Sequence, residues 1–136
     1  MPSDNSFVLD TSAILALRGD EPGADRVQSL LFQARAKRCR LLVSFITRME
    51  LLYTIWRREG EESGRDSLRL VDSFNVEWIT CEPEILQIAS QMKATGSLSL
   101  ADSWIAATAV ARDAILIHKD PEFTKFKEVY QEFLKR

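Results

Sequence analysis

The sequence predicts an α/β fold built on a mostly parallel sheet with helices on its faces. Three apolar runs, Phe7-Val8-Leu9, Leu41-Leu42-Val43 and Ala114-Ile115-Leu116-Ile117, have the length of strands and are too short to be helices. Unbroken apolarity over so few residues marks a strand covered on both faces. Between these runs apolar residues recur at three and four, so strands alternate with helices. That alternation favours parallel pairing through right-handed crossovers.

Ser6-Phe7-Val8-Leu9 reads as the first strand, which ends at Asp10 and feeds a helix over Ser12-Ala13-Ile14-Leu15-Ala16-Leu17. Residues 19–23 break the chain with a glycine at each end, and Val27, Leu30, Leu31 and Ala34 then trace an amphipathic helix. Arg40-Leu41-Leu42-Val43 is the second strand. After it, Phe45, Met49, Leu52, Tyr53 and Trp56 predict the apolar face of a helix ended by Gly60, and Leu68, Val71 and Phe74 belong to a helix paired with it. Val76-Glu77-Trp78-Ile79-Thr80 alternates as a strand does, and Ile85, Ile88, Ala89 and Met92 mark a helix closed by Thr95-Gly96. Ser99 caps a further helix, whose Ile105, Ala109 and neighbouring alanines suit close packing on a sheet that ends with the strand 114–117. Residues 126–136 read as helical or irregular.

At 136 residues, the chain fits one domain spanning 1–136. Apolar residues at 46% and charged residues at 28% exclude a disordered or membrane-embedded composition. No apolar run nears the roughly 20 residues of a membrane helix, and the first is interrupted by Asp10 without a basic flank or cleavage site. A cytoplasmic location, with no membrane partner, is the expectation. Cys39 and Cys81 are too few for a disulfide framework or a zinc knuckle. A net charge of −2 gives no global nucleic-acid signature. The basic cluster Arg35, Lys37, Arg38 and Arg40, the pair Arg57-Arg58, and the acids Asp20, Glu21, Glu59, Glu61 and Glu62 read as solvated surface. No G-x-x-x-x-G-K or G-x-G-x-x-G occurs, so no phosphate-binding loop is supported.

Four acids carry the functional signal. Each has a capping explanation: Asp10 between strand and helix, Asp120 before Pro121, Asp102 three places after Ser99, and Glu50 three places after Thr47 if Thr47 starts its helix. Taken one at a time, capping is the stronger reading. Together they say more, because ligands of open α/β sheets bind beyond the carboxyl ends of strands, where Asp10 and Asp120 both fall. Glu50, early in the helix after strand two, and Asp102, early in the helix before the last apolar strand, can face the same edge. Four carboxylates converging without cations repel one another, and a hard divalent cation relieves that repulsion.

The chain resembles the PIN-domain ribonucleases, above all the VapC-type toxins of toxin–antitoxin pairs. The resemblance rests on Phe7-Val8-Leu9-Asp10-Thr11-Ser12-Ala13, Arg48-Met49-Glu50-Leu51, Ser99-Leu100-Ala101-Asp102-Ser103-Trp104-Ile105-Ala106-Ala107-Thr108-Ala109, and Ile115-Leu116-Ile117-His118-Lys119-Asp120-Pro121-Glu122-Phe123, in the family's order. It implies a three-layer fold with strand order 3-2-1-4-5, four acids at the carboxyl edge, and metal-dependent RNA cleavage leaving 3′-hydroxyl and 5′-phosphate ends. It also implies a homodimer and an antitoxin partner. Members often carry Thr or Ser two places before the last acid, where this chain has His118, and the family's last strand is not evident in residues 128–136.

An acid-only set suits Mg2+, with Mn2+ as a substitute, whereas zinc would call for His or Cys. Asp10 and Asp120 are assigned to direct metal binding, and Glu50 and Asp102 to direct or water-mediated binding and alignment of the attacking water. Thr11 and Ser12 can hydrogen-bond a carboxylate, a water or a phosphate, or cap their helix. His118 reads as a packed, hydrogen-bonded side chain rather than a general base, and Lys119 as a phosphate contact or a solvated lysine. Trp56, Trp78 and Trp104 read as packing residues ahead of base-stacking ones. The alternative to an enzyme is a non-catalytic PIN-like module that binds RNA or protein and uses the acids only as caps. A haloacid-type phosphatase is disfavoured because Asp10-Thr11-Ser12 lacks a second acid two places on.

Overall fold

The computed structural model describes residues 5–135. Its order is β1 (Ser6–Leu9), α1 (Thr11–Arg18), α2 (Ala24–Arg35), β2 (Arg40–Ser44), α3 (Ile46–Glu59), α4 (Glu61–Asp72), β3 (Glu77–Ile79), α5 (Pro83–Thr95), α6 (Leu100–Ala111), β4 (Ile115–His118) and β5 (Gln131–Phe133), with a 3-10 turn at Pro121–Lys125. The sheet runs β3-β2-β1-β4-β5, and all four pairings are parallel.

Alternation along the strands sorts side chains into two cores. Val8, Leu42 and Leu116 point to one face, where they meet Ile85, Met92 and Ile105 from α5 and α6. Phe7, Leu9, Leu41, Val43 and Ile117 point to the other, against Ile14, Val27, Leu30, Leu51 and Val71 from α1 to α4. Three layers result, and burial of both faces is the reason the strands carry no polar alternation. Ala106, Ala107 and Ala109 are buried, so α6 lies close on the sheet. No helix among the described residues is long and apolar enough to cross a membrane.

Two expectations are corrected. The buried stripe of α3 is Thr47, Leu51 and Ile55, whereas Met49, Tyr53 and Trp56 are 65%, 40% and 42% exposed. Apolarity alone does not say which stripe meets the sheet, and here the smaller, less aromatic one does. The second concerns residues 126–136: this stretch contains β5, which pairs with β4 through Leu116↔Gln131 and His118↔Phe133. A strand of three residues at a sheet edge, with only Phe133 apolar within it, leaves almost no periodicity to read.

The C-terminal segment is nonetheless anchored. Leu134 is 3% exposed in the α1–α4 core, its N–H donates to the His118 carbonyl at 2.7 Å, and Arg26 of α2 holds Glu132 by two hydrogen bonds of 2.8 and 3.0 Å. Leu134→Ala should therefore cost about 2–4 kcal/mol in urea unfolding, as for a packed core leucine; a loss below about 0.5 kcal/mol would show that the segment is not part of the core.

Candidate active site

Pairing of β1 with β4 sets Leu9 beside Ile117, and the Asp10 N–H donates to the Ile117 carbonyl at 3.0 Å. Asp10 is thus the first residue past β1, and Asp120 follows two residues past the end of β4. Both cap what comes next. Asp10 Oδ2 accepts the Ser12 N–H at 3.0 Å at the start of α1, and Asp120 Oδ1 accepts the Glu122 N–H at 3.0 Å at the start of the 3-10 turn. Ser99 caps α6 by accepting the Asp102 N–H at 3.1 Å, which leaves Asp102 in the first turn. Thr47 caps nothing: α3 begins at Ile46, and Thr47 lies buried inside it.

Capping uses only part of Asp10. Its side chain is buried, and Oδ1 is the buried side-chain polar atom left without a hydrogen-bond partner among the described residues. Such an atom forgoes its hydration and is retained only where something else compensates. Ser12 fixes the other oxygen twice, by its N–H and by its hydroxyl, and the Ser12 hydroxyl in turn accepts the Lys119 N–H at 2.9 Å. One serine therefore ties the ends of β1 and β4 together.

Glu50 is held from α1. Thr11 Oγ1 donates to Glu50 Oε1 at 2.7 Å and lies 3.1 Å from Thr47 Oγ1. A hydroxyl has a single proton; Thr11 gives its own to the carboxylate and receives one from Thr47. From the sequence Thr47 reads only as a conditional cap, although its i, i+3 spacing from Glu50 puts the two on one helical face. Gln131, whose side chain meets His118, left no local signal.

The four carboxylates act on one another. Burial pushes the Asp10 carboxyl up to about 6, the Ser12 hydrogen bonds oppose this, and the charges of Glu50 and Asp120 add to it. Burial likewise pushes Asp102 up to about 7, reinforced by the charges of Asp10, Asp120 and Glu50 and opposed by Ser99. Glu50 is raised by burial and the Asp120 charge, against the Thr11 hydrogen bond. Among the described residues no three His, Cys, Asp or Glu side chains close into a metal-ligand cluster. Mg2+ takes one or two protein carboxylates and keeps several waters, so a site for it does not require three such side chains in contact.

Lys119 is engaged with the segment after α1. Its ammonium donates to the Pro22 carbonyl at 2.9 Å and lies 3.5 Å from Glu21, with the side chain 14% exposed, so it is neither solvated nor free. His118 is fully buried. Its Nδ1 accepts the Asp120 N–H at 3.1 Å, which places the ring proton on Nε2, 2.8 Å from Gln131 Oε1, and burial lowers its pKa. The expected packed, hydrogen-bonded histidine is what the structure holds. Trp104 packs edge-on to Phe45, and Trp78 lies beneath the Arg48 guanidinium.

Raised carboxyl pKa values make the metal-free protein bind more protons folded than unfolded. Between the ordinary value of 3.8 and the folded values of about 6 and about 7, stability falls as pH rises, and it is fully regained below that window. Metal-free protein should therefore melt higher at pH 5.5 than at pH 8. Asp102→Asn should stabilise it at pH 8 by on the order of 1–2 kcal/mol, a figure reduced for the partial exposure of Asp102, and should flatten the pH profile. Calorimetric melting of both proteins across this range checks the point, and an unchanged slope in the variant would contradict the convergence of the acids.

The model of the PIN domain matches residues 7–129. No curated protein gives a significant sequence match. Solved structures similar to this chain include VapBC2 from Rickettsia felis bound to a DNA fragment from its promoter, at 18% identity and a TM-score of 0.77, covering 96% of this chain and 99% of that one. VapBC-1 from nontypeable Haemophilus influenzae shows 26% identity and a TM-score of 0.72 over 94% and 97% of the two chains. VapC20 from Mycobacterium tuberculosis, described as a Sarcin-Ricin loop cleaving toxin, shows 16% identity and a TM-score of 0.67 over 89% and 95%. With the family model matching almost its full length, and with the strand order and acid-bearing edge just described, the chain belongs to the PIN-domain family.

Proposed function

We propose that this chain is a metal-dependent endoribonuclease and the toxin of a VapBC-type pair, with one PIN domain spanning residues 1–136. The observation that carries the reading is Asp10 Oδ1, buried and unpartnered beside three further carboxylates. The oxygen donors present suit Mg2+ or Mn2+, and Asp10 and Asp120 would hold the ion directly, with Glu50 and Asp102 bound directly or through water. When bound, the ion lowers the pKa of water and stabilises charge developing on the phosphoryl oxygens.

The chain's own residues do the positioning. Ser12 fixes the Asp10 carboxylate and, through the Lys119 N–H, the spacing between the ends of β1 and β4. Thr11 fixes Glu50, which with Asp102 orients the attacking water. Attack at phosphorus breaks the P–O3′ bond, leaving a 3′-hydroxyl and a 5′-phosphate. RNA as substrate follows from the resemblance to PIN-domain ribonucleases and is consistent with the cleaving activity named for the tuberculosis relative. An antitoxin partner accords with the VapBC complexes among the similar structures, and would inhibit by placing an apolar or basic segment at the acidic edge.

Purified protein should cleave single-stranded or looped RNA with Mg2+ or Mn2+ and lose that activity in chelator and in Asp10→Asn. Cleavage surviving either treatment would remove Asp10 and the metal from the mechanism, and a folded protein that binds RNA without cutting it would favour the binding module.

Metal at about a hundred times its dissociation constant should stabilise wild type by roughly 2.7 kcal/mol. Asp102→Ala should lose most of that gain while changing little without metal. Equal metal-induced melting shifts in the two proteins would exclude Asp102 from the site.

The exposed Met49, Tyr53 and Trp56 of α3, with Leu70 of α4 at 39% exposure, support a homodimer through this helical pair. Trp56→Glu should sediment as a monomer at concentrations where wild type is a dimer, and identical sedimentation of the two would argue against this face.

A further inference from the structure

We propose that His118 is a positioning residue for Asp120, and that Gln131 of β5 holds its imidazole in the tautomer that role requires. The proposal rests on the metal-site reading above.

The geometry leaves one assignment of protons. A backbone N–H can only donate, so the Asp120 N–H at 3.1 Å requires an unprotonated Nδ1. The proton then sits on Nε2 and is donated to Gln131 Oε1 at 2.8 Å. Gln131 has no freedom to turn over, because its Nε2 faces the carbonyls of Phe123, Phe126 and Val129 at 2.9, 3.2 and 3.3 Å. Three acceptors at the nitrogen leave only the oxygen for histidine. A second ring proton would face the Asp120 N–H, so the neutral form alone fits.

The imidazole is also held in place as a body. It is fully buried, packs edge-on to Phe123 at 5.0 Å and Phe133 at 5.1 Å, and its own backbone carbonyl accepts the Leu134 N–H. A ring so constrained fixes the Asp120 peptide, while the Glu122 N–H fixes Asp120 Oδ1. The carboxylate is thus determined from both its backbone and its side chain. Groups that orient a metal ligand are commonly worth about 10–100-fold in metal affinity or activity. The same strut makes the edge strand β5, remote in sequence from the other acids, a structural dependency of the site.

Two near-isosteric substitutions separate positioning from packing. Asparagine carries an amide oxygen where His118 has Nδ1 and can still accept the Asp120 N–H; glutamine reaches the Nε2 position and abandons that bond. Mn2+ binding by calorimetry and single-turnover cleavage of an unstructured RNA are measured for wild type, His118→Asn and His118→Gln. Protection of the Asp120 amide in metal-free, 15N-labelled protein is measured alongside.

His118→Gln should weaken Mn2+ binding and lower the maximal single-turnover rate constant by ~10-fold or more with the half-saturating concentration unchanged, and should lose Asp120 amide protection. His118→Asn should stay within about threefold of wild type in both and keep the protection, even though it gives up the contact with Gln131. Equal Mn2+ affinity in wild type and His118→Gln would overturn the proposal, as would equal losses in both variants. If either variant fails to fold, Gln131→Leu takes its place: it should shift the imidazole 15N signals away from the Nε2–H tautomer and weaken Mn2+ binding, and unchanged spectra and affinity would equally overturn the proposal. Wild type that binds no Mn2+ and cuts no RNA would instead refute the metal-site reading itself, and the role of His118 with it.

Discussion

The parallel pairing of β1 with β4, at the middle of a sheet covered on both faces, is the constraint on which the rest of the molecule depends. Register fixes Leu9 beside Ile117, so the chain leaves both strands at one level, with Asp10 just past one end and Asp120 past the other. The two apolar layers that bury the strands also take water away from this edge. Desolvation is accordingly the largest cause of the raised Asp10 and Asp102 pKa values, and repulsion among the acids comes after it. Fold and electrostatics are here one fact: the core that stabilises the sheet creates the charge problem at its rim.

Capping and ligand binding are usually offered as competing explanations of an acid at the start of a helix. In this chain they are parts of one arrangement. The Ser12 N–H and hydroxyl hold one oxygen of Asp10, which sets the rotamer, and the other oxygen stays buried and unpartnered. A carboxylate restrained in this way would lose little further freedom on meeting a cation, so under the proposed function the cap would preorganise a metal ligand. Thr11 likewise holds Glu50 from the next residue along, and His118 Nδ1 accepts the Asp120 N–H.

The helical pair α3–α4 follows a different logic. Thr47, Leu51 and Ile55 face inward, while Met49, Tyr53 and Trp56 remain on the surface. Gly64 lets the two helices approach closely, since a Cβ there would lie 2.9 Å from the Leu52 carbonyl oxygen. The pair therefore packs closely on itself, and its outer apolar residues stay partly exposed, with Arg57 over the Tyr53 ring and Arg65 over the Trp56 ring.

Much of this was legible in the chain itself. Short apolar runs give buried strands because they are too short for helices and lie between breaks in the pattern, and the acids at their ends are visible as residue types at the boundary of that pattern. Cap chemistry at Asp10, Ser99 and Asp120 is likewise local, decided within three residues. What lay beyond the sequence was every relation between distant segments. Which stripe of α3 turns inward depends on the sheet beneath it; β5 is a strand only because β4 offers it an edge. Thr47 turned from a presumed cap into the partner of Thr11, and Gln131 became the partner of His118, across 36 and 13 residues. Local periodicity and capping are short-range physics and can be read from neighbours, whereas burial, register and side-chain orientation exist only once the chain has closed on itself.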